Sequence, residues 1–145
     1  MTAQLKDLQA LEAMVVRYNI NGDRGRVDVL GGCFADDGVL EFNGKRGVGP
    51  AGVAAALSGG MAQPGKRFIR HNLTSREILI ADDGMTATGR LYFFVMTNHG
   101  IDHAGVYVDR YRKDDGQWKI AHREVRIDWQ VEHSYREGQP YRRGK

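Results

Sequence analysis

Apolar residues near the start of the chain recur at spacings of three and four positions. They are Leu5, Leu8, Leu11, Met14, Val15 and Tyr18. This periodicity places their side chains on one stripe of an amphipathic helix, and Asn21-Gly22 predicts the end of that helix. Because Tyr18 lies on the apolar stripe, we expect its side chain to be buried.

Shorter helical patterns follow, and each is ended by turn-forming residues. The pattern predicts a second helix from after Asp23 to about Phe34, a turn at residues 36–38, a strand at residues 39–42 and a third helix from Pro50 through Leu57, closed by residues 58–60. Aspartate, serine and glycine favour such turns. Proline suits the first position of a helix because it has no amide hydrogen to leave unpaired. The first part of the chain is therefore predicted to be mainly helical.

The period of the pattern changes from helical to strand-like near residue 67. Strands are predicted at residues 67–81, 85–97, 101–112 and 118–129, with turns at residues 82–84, 98–100 and 114–116. Short turns between consecutive strands are typical of an antiparallel meander. Because the helices come first and do not alternate with the strands, we expect an α+β fold in which a curved sheet wraps around the helices.

Composition and charge limit the class of protein. The chain has 145 residues, of which 41% are hydrophobic and 27% charged, as is usual for a single globular domain. The net charge is +3, and the basic excess lies near the C-terminus in Arg136, Arg142, Arg143 and Lys145. Glycine and proline separate these residues. We therefore expect a domain at residues 1–134, a solvated basic tail at residues 135–145 and no nucleic-acid partner.

Cysteine content and the N-terminal segment bear on location. A single cysteine, Cys33, excludes an internal disulfide framework and is typical of a reducing compartment. It ends an apolar run, which favours a buried structural thiol over a nucleophile. Lys6, Asp7 and Glu12 interrupt the first apolar stripe, so this segment is predicted to be neither a signal peptide nor a membrane span. We expect a cytoplasmic protein with no membrane partner.

Two motifs that suggest cofactors have simpler explanations. Residues 47–52 match the glycine pattern of dinucleotide-binding loops, but that pattern belongs to a parallel strand-helix-strand unit, and here a meander follows. His99 and His103 have a spacing that suits a metal ion only on a helix, whereas Gly100 and the strand pattern exclude a helix. We therefore predict solvent-facing loop histidines at these positions and at His133, with no metal and no cofactor.

A carboxylate, an imidazole and a phenol are the candidates for acid–base chemistry. His71 lies in an apolar segment, where a buried imidazole needs a hydrogen-bond partner. Asp23 stands where a helix N-cap is expected, and Tyr18 lies on the buried helical stripe. Each residue taken alone is also explained by a structural role. Acid–base catalysis without a metal requires the three to converge in one apolar cavity.

Several segments resemble the SnoaL-like branch of the nuclear transport factor 2 superfamily. They are residues 86–92, 107–111, 115–118 and 125–127. The branch includes scytalone dehydratases, hexachlorocyclohexane dehydrochlorinases, polyketide cyclases and bile-acid dehydratases, and the likeness is closest to the bile-acid dehydratases. The resemblance covers most of the chain. It implies a cone-shaped barrel, in which a curved, mostly antiparallel sheet wraps around the N-terminal helices, and assembly into a dimer or trimer.

The resemblance also implies roles for individual residues. Tyr18, Asp23, His71 and Arg126 match family positions in residue type. His71 is expected to accept a carbon-bound proton, and Asp23 to orient and stabilise the imidazole. Tyr18 is expected to assist a departing hydroxyl, and Arg126 to stabilise developing negative charge. The implied activity is cofactor-independent removal of water from a hydrophobic, polycyclic, steroid- or polyketide-like substrate.

Other functions stay open on the sequence. An isomerase, a cyclase or a dehydrohalogenase would use the same pair of Asp23 and His71, and a non-catalytic ligand-binding or assembly module would use neither. Tyr18 and Asp23 are five positions apart and do not share a helical face. The catalytic interpretation therefore requires a bend at Asn21-Gly22 that redirects Asp23 towards Tyr18.

Overall fold

Helices and a six-stranded sheet form the part of the chain that the computed structural model describes, namely residues 1–58, 68–136 and 138. The elements are α1 (Ala3–Asp23), α2 (Val27–Gly31), β1 (Phe34–Phe42), β2 (Lys45–Val48), α3 (Gly49–Ser58), β3 (Ile69–Ile80), β4 (Thr86–Thr97), β5 (Gly100–Asp114) and β6 (Gln117–Gln130). The predicted helix closure at residues 59–60, the predicted strand start at residue 67 and residues 137 and 139–145 of the predicted tail lie outside the described residues.

The sheet is curved and mixed, with its strands in the order β2-β1-β6-β5-β4-β3. Neighbouring strands are antiparallel, except that β1 runs parallel to β6. The predicted α+β class, with N-terminal helices and a mostly antiparallel sheet, is confirmed. The predicted barrel is corrected: β2 and β3 are the two edges of the sheet in the described part of the chain, so the sheet curves without closing.

The segment at residues 36–38, which the sequence predicts to be a turn, lies inside β1. The register between β1 and β6 shifts between Phe34 and Val39, so this part of the strand is bulged. A Cβ atom on Gly38 would lie 2.5 Å from the carbonyl oxygen of Ile120. The glycine is therefore required for the close contact of two strands and not for a turn. The predicted second helix accordingly ends earlier, at Gly31.

Residues 47–52, which match the dinucleotide pattern, connect β2 to α3. Gly49 has a φ of +68°, a conformation that favours glycine, and a Cβ atom on Gly47 would lie 2.6 Å from the carbonyl oxygen of Gly52. Backbone geometry thus explains these glycines without a nucleotide. The sequence pattern does not predict β2, because this four-residue strand shows no apolar alternation.

The core lies between the inner face of the sheet and the helices. Fully buried apolar side chains include Leu11, Val15 and Val53 from the helices and Leu40, Leu91, Val95 and Ile120 from the strands. Burial alternates along β4, so one face of that strand faces the helices. Cys33 is buried, as predicted. Among the helices that the structure describes, none is both long and apolar enough to cross a membrane.

Candidate active site

An apolar cavity of about 100 Å³ lies between the end of α1 and the inner face of the sheet. Leu30, Leu57 and Ile127 are among the apolar side chains of its wall. Its polar lining includes Tyr18, Asn19, Asp23, His71, His103 and Tyr107. An apolar cavity of roughly 150 Å³ takes a single benzene ring, so this cavity is somewhat smaller than one ring needs. A few convergent polar groups in an apolar pocket are typical of a binding or catalytic site.

Asp23 contacts His71 through both of its carboxylate oxygens. Oδ1 lies 2.6 Å from Nδ1 of the His71 ring, and Oδ2 accepts a hydrogen bond of 3.0 Å from the main-chain N–H of His71. Only 7% of the Asp23 side chain and 25% of the His71 side chain are exposed. Because the carboxylate accepts at Nδ1, the neutral ring carries its proton there and keeps a lone pair on Nε2. The contact that the catalytic interpretation requires is therefore present.

The end of α1 and the edge of the sheet bring these two residues together. β3 pairs only with β4 among the described strands, so the N–H groups on its outer side have no strand partner. Asp23 is the last residue of α1 and accepts one of these N–H groups, that of His71 near the start of β3. The same contact that satisfies the sheet edge thus orients the imidazole.

Tyr18 and Asp23 line the same cavity although the helix does not bend between them. The predicted bend at Asn21-Gly22 is therefore wrong. Helix α1 continues through Asn21 and Gly22 and ends at Asp23. Residues 18 and 22 form one row at i, i+4 spacing, residues 19 and 23 form the adjacent row, and all four line the cavity. Two neighbouring rows of one straight helix therefore face the cavity.

Tyr18 presents a buried phenol to the site. Its side chain is 6% exposed, and its ring lies 6.2 Å from that of Phe34 and 6.1 Å from that of Tyr107. Burial raises the pKa of Tyr18, and the guanidinium of Arg123 opposes this shift. The phenol therefore stays protonated at neutral pH and is available as a proton donor.

Arg126 does not reach the cavity, so its predicted place in the site is corrected. Counting in twos from buried Ile120 would put Arg126 on the inner face of β6. The register with β5 shifts between Arg110 and Tyr111 and leaves Ala121 as an extra residue, which reverses the alternation. On β6, the neighbours of Arg126 in sequence line the cavity, whereas the Arg126 guanidinium bonds to Glu124 on the opposite face at 2.8 and 2.7 Å.

Arg123 is the arginine that the sequence interpretation missed. Its side chain is completely buried and bonds to Asp109 at 2.8 Å through Nε and at 2.6 Å through Nη2. The guanidinium carbon lies 4.3 Å from the ring centroid of Tyr18 and 4.2 Å from that of Tyr107. Asp109 also accepts a 2.5 Å hydrogen bond from the Tyr111 hydroxyl. The buried pair of Arg123 and Asp109 thus packs against the rings of Tyr18 and Tyr107 and holds them in place.

His103 is buried, which corrects the prediction that it faces solvent. It is 3% exposed, lines the cavity and places Nδ1 2.8 Å from Oδ2 of Asp102. Burial lowers the pKa of the His103 imidazole to about 4. His99 and His133 are exposed, as predicted. The sequence did contain a signal for the burial of His103. This residue lies four positions before Tyr107 on β5, so both side chains are on the face of the strand that lines the cavity.

The segment that follows β6 closes one side of the cavity. Asp102 accepts a 2.6 Å hydrogen bond from the Ser134 hydroxyl and a 3.1 Å hydrogen bond from the Tyr135 main-chain N–H. Tyr135 lines the cavity, and Arg136 is 4% exposed and donates to Gln130 and Asn43. The prediction of a solvated tail is therefore wrong for Tyr135 and Arg136, because the buried carboxylate of Asp102 and the partly buried amide oxygens of Gln130 and Asn43 bind them.

The polar side chains at the cavity are suited to proton transfer. The described residues contain no group of three or more histidine, cysteine, aspartate or glutamate side chains that could hold a metal ion. Asp23 and His71 provide a paired imidazole base, and Tyr18 provides a protonated phenol. Together they are suited to moving a proton from carbon and to protonating a leaving group.

Residues 3–124 match the SnoaL-like domain family, so the chain belongs to this family, as its sequence predicts. The match covers the helices, β1 to β5 and the first half of β6. No curated protein matches the chain in sequence.

Solved structures with the same fold include proteins of different activities. A variant of Rv3472 from Mycobacterium tuberculosis, a protein of unknown function, has 30% identity and a TM-score of 0.72 over 88% of this chain and 75% of its own. A provisionally assigned scytalone dehydratase from Novosphingobium aromaticivorans has 20% identity and a TM-score of 0.79 over 99% and 97%. The hexachlorocyclohexane dehydrochlorinase LinA-type3 from Novosphingobium barchaimii has 20% identity and a TM-score of 0.74 over 89% and 91%. The last two similarities are similarities of fold alone.

Proposed function

We propose that this protein is a cofactor-independent lyase that removes water from a hydrophobic cyclic hydroxy ketone. The observation that carries the proposal is the contact between Asp23 and His71 beside an apolar cavity that also holds the Tyr18 phenol. A base, a carboxylate that orients it and an acid in one apolar site are the groups that β-elimination of water needs. Similar structures named for dehydratase and dehydrochlorinase activity support an elimination.

The proposed reaction needs only the proton transfers that His71 and Tyr18 carry out, with Asp23 stabilising the imidazolium. Nε2 of His71 takes a proton from the carbon next to the carbonyl, and the electron pair of that C–H bond forms the new double bond. The bond from the neighbouring carbon to its hydroxyl oxygen breaks, and Tyr18 donates its proton so that water leaves. The negative charge of Asp23 stabilises the imidazolium. The imidazolium then returns its proton to the Tyr18 phenolate, which restores the starting state.

The buried arginine supports the same step. When Tyr18 gives up its proton, a phenolate forms in a buried site, where an unpaired charge is costly. The guanidinium of Arg123 lies 4.3 Å from the ring centroid of Tyr18 and favours the charged form. The sequence interpretation gave the stabilisation of negative charge to Arg126, and in this proposal Arg123 takes that role.

The dimensions of the cavity narrow the substrate class. About 100 Å³ is less than a whole ring needs, so a steroid- or polyketide-like substrate would insert the reacting edge of one ring and leave its other rings at the mouth. The rings of Phe93 and Tyr107, which both line the cavity, stack on each other with their centroids 4.5 Å apart. An aromatic lining of this kind favours ligands that contact it through a ring.

Isomerisation, cyclisation and dehydrohalogenation are the alternatives that use the same base. Tyr18 favours the loss of water, because hydroxide is a poor leaving group that needs a proton, whereas a halide leaves without one. A non-catalytic binding module would not need a proton donor, Tyr18, in the same cavity as the imidazole base that Asp23 orients.

The test is a direct absorbance assay for the conjugated enone. Purified, chelator-treated protein is mixed with 3-hydroxycyclohexanone, a single-ring hydroxy ketone, without added nucleotide. We expect enone formation, and we expect His71→Ala to lower kcat by about 10²- to 10⁴-fold. His99→Ala, which alters an exposed histidine, is the matched control and should keep the wild-type rate. Undiminished activity in His71→Ala, or activity that chelation abolishes and metal restores, would contradict the proposal.

A further inference from the structure

The proposed reaction leaves one buried imidazole without a role. The His103 side chain is 4% exposed, and its ring packs edge-on against Phe93 at 6.2 Å and against Tyr135 at 5.5 Å. Nδ1 bonds to Asp102, whereas Nε2 has no hydrogen-bond partner among the described residues. The ring lines the cavity, so a ligand bound there lies beside it.

The surroundings of His103 decide what Nε2 offers to a ligand. Although burial opposes it, hydrogen bonds from Ser134, His103 and Tyr135 hold the pKa of Asp102 below its usual value, so the carboxylate is ionised and accepts the Nδ1 proton. Burial is also the main cause that lowers the pKa of His103 to about 4, which keeps the ring neutral. A neutral imidazole protonated at Nδ1 has a lone pair on Nε2. Nε2 is therefore a hydrogen-bond acceptor.

An unpaired acceptor in an apolar cavity discriminates between ligands. A ligand with a hydroxyl satisfies Nε2, whereas a ligand without a donor displaces water from it and leaves a buried polar atom unpaired. A site built around such a group rejects the analogue that lacks the donor much more strongly than an apolar wall can. His71 also has a lone pair on Nε2, so replacement of His103 decides which of the two imidazoles accepts the hydroxyl.

We propose that His103 is a specificity residue that accepts a hydrogen bond from a ring hydroxyl of the ligand, and that Asp102 is the positioning residue that directs its Nε2 atom into the cavity. The ligand class is a hydrophobic ring compound that carries a hydroxyl. This inference rests on the proposed function only in using the same cavity, since hydroxyl recognition precedes any elimination.

Phenol and anisole are matched probes, because each is a single ring and only phenol donates a hydrogen bond. We expect wild-type protein to bind phenol about 10-fold more tightly than anisole, as measured by titration calorimetry or ligand-detected NMR. His103→Phe should remove this preference by weakening phenol alone. His103→Gln, whose side-chain oxygen accepts a hydrogen bond, should restore part of it. Ser134→Ala removes one bond to Asp102 but keeps Nδ1 paired, and should retain most of the preference.

A second measurement uses wild-type protein and does not depend on how the variants fold. The ¹⁵N resonance of His103 Nε2 should show an unprotonated nitrogen in the free protein and should move when phenol, but not anisole, is added. Equal affinities for the two probes, a protonated Nε2 in the free protein or an unmoved resonance would overturn the proposal. Neither probe is turned over, so a failed dehydration assay would refute the proposed lyase activity without affecting the proposed hydroxyl recognition. Equal binding of phenol and anisole would refute the hydroxyl recognition without affecting the lyase activity.

Discussion

The two carboxylate oxygens of Asp23 bind two different atoms of His71, one in the ring and one in the main chain. The ring contact fixes which nitrogen carries the proton, and the main-chain contact fixes where β3 lies relative to the end of α1. The imidazole is therefore oriented before any ligand arrives. Such preorganisation is what a proton-transfer site requires.

Replacing the charge of Asp23 while keeping its shape tests this relationship. In Asp23→Asn we expect kcat for water loss to fall by about 10²- to 10⁴-fold, because the amide cannot stabilise the imidazolium. The asparagine oxygen can still accept the main-chain N–H of His71, so thermal unfolding should change little. Arg126→Gln, on the opposite face of the sheet, is the control and should keep kcat within about twofold. Comparable losses of kcat in both variants would contradict the assignment.

Tyr18→Phe separates water loss from halide loss. The phenyl ring keeps its contacts with Phe34 and Arg123, so the change removes mainly the proton donor. We expect elimination from 3-hydroxycyclohexanone to slow by about 10²-fold or more, and elimination from 3-chlorocyclohexanone to slow much less. Both substrates yield the same enone, so one absorbance assay measures both after subtraction of the uncatalysed rate. Equal slowing would mean that Tyr18 positions the ring and does not donate a proton.

The buried imidazole of His103 makes stability depend on pH in a defined window. Burial lowers its pKa to about 4 in the folded protein, from the usual 6.5, so the unfolded chain binds this proton more readily. Its contribution to the free energy of unfolding is fully present above about pH 6.5 and is lost as the pH falls towards 4. The full shift corresponds to about 3 kcal/mol.

Urea unfolding at about pH 7 and about pH 4.5 measures this loss. We expect the wild type to lose more stability on acidification than His103→Gln, which has no imidazole to protonate. The lowered pKa of Asp102 acts below its usual value of 3.8 and therefore outside this window. Identical losses in the two proteins would show that His103 does not titrate in this way.

The buried pair of Asp109 and Arg123 should show strong coupling. Asp109→Leu or Arg123→Met alone leaves a buried group without its partner and should lower the free energy of unfolding by about 3–5 kcal/mol. The double variant Asp109→Leu/Arg123→Met should lose clearly less than the two single losses combined. Removing the partly exposed pair of Glu124 and Arg126 is the control and should cost no more than about 1 kcal/mol. Additive losses at the buried pair would refute the coupling.

We also expect the protein to form a dimer or trimer through the outer face of the sheet. Tyr92 and Met96 lie on that face of β4 and are 48% and 39% exposed, and Phe94 between them shares this outer face. Light scattering should give a multiple of the 16.2 kDa chain mass, and Tyr92→Glu should reduce it by placing a charge in the contact. Met85→Glu, which places the same charge at an exposed turn, should leave the measured mass unchanged. A single 16.2 kDa species at micromolar concentration would contradict the expectation.

Sequence periodicity is sufficient for the long elements, because the spacing of apolar residues depends only on which face of a helix or strand is buried. It predicts α1, α3 and strands β3 to β6. It misplaces residues 36–38, since the bulge in β1 arises from contact with β6, a strand about 80 positions further along. It also does not predict that the sheet stays unclosed, because whether β2 and β3 pair with each other depends on residues far apart in the chain.

The sequence by itself determined that Tyr18, Asp23 and His71 are candidates for one acid–base site, because residue type and family resemblance carry that information. Only the tertiary structure decided which arginine and which further histidine belong to it. One extra residue at Ala121 turns Arg126 outward and Arg123 inward, and burial beside Asp102 turns His103 from a surface residue into part of the cavity. Strand register and the partner of a buried charge depend on residues far apart in the chain, so these assignments follow from the fold and not from any local pattern.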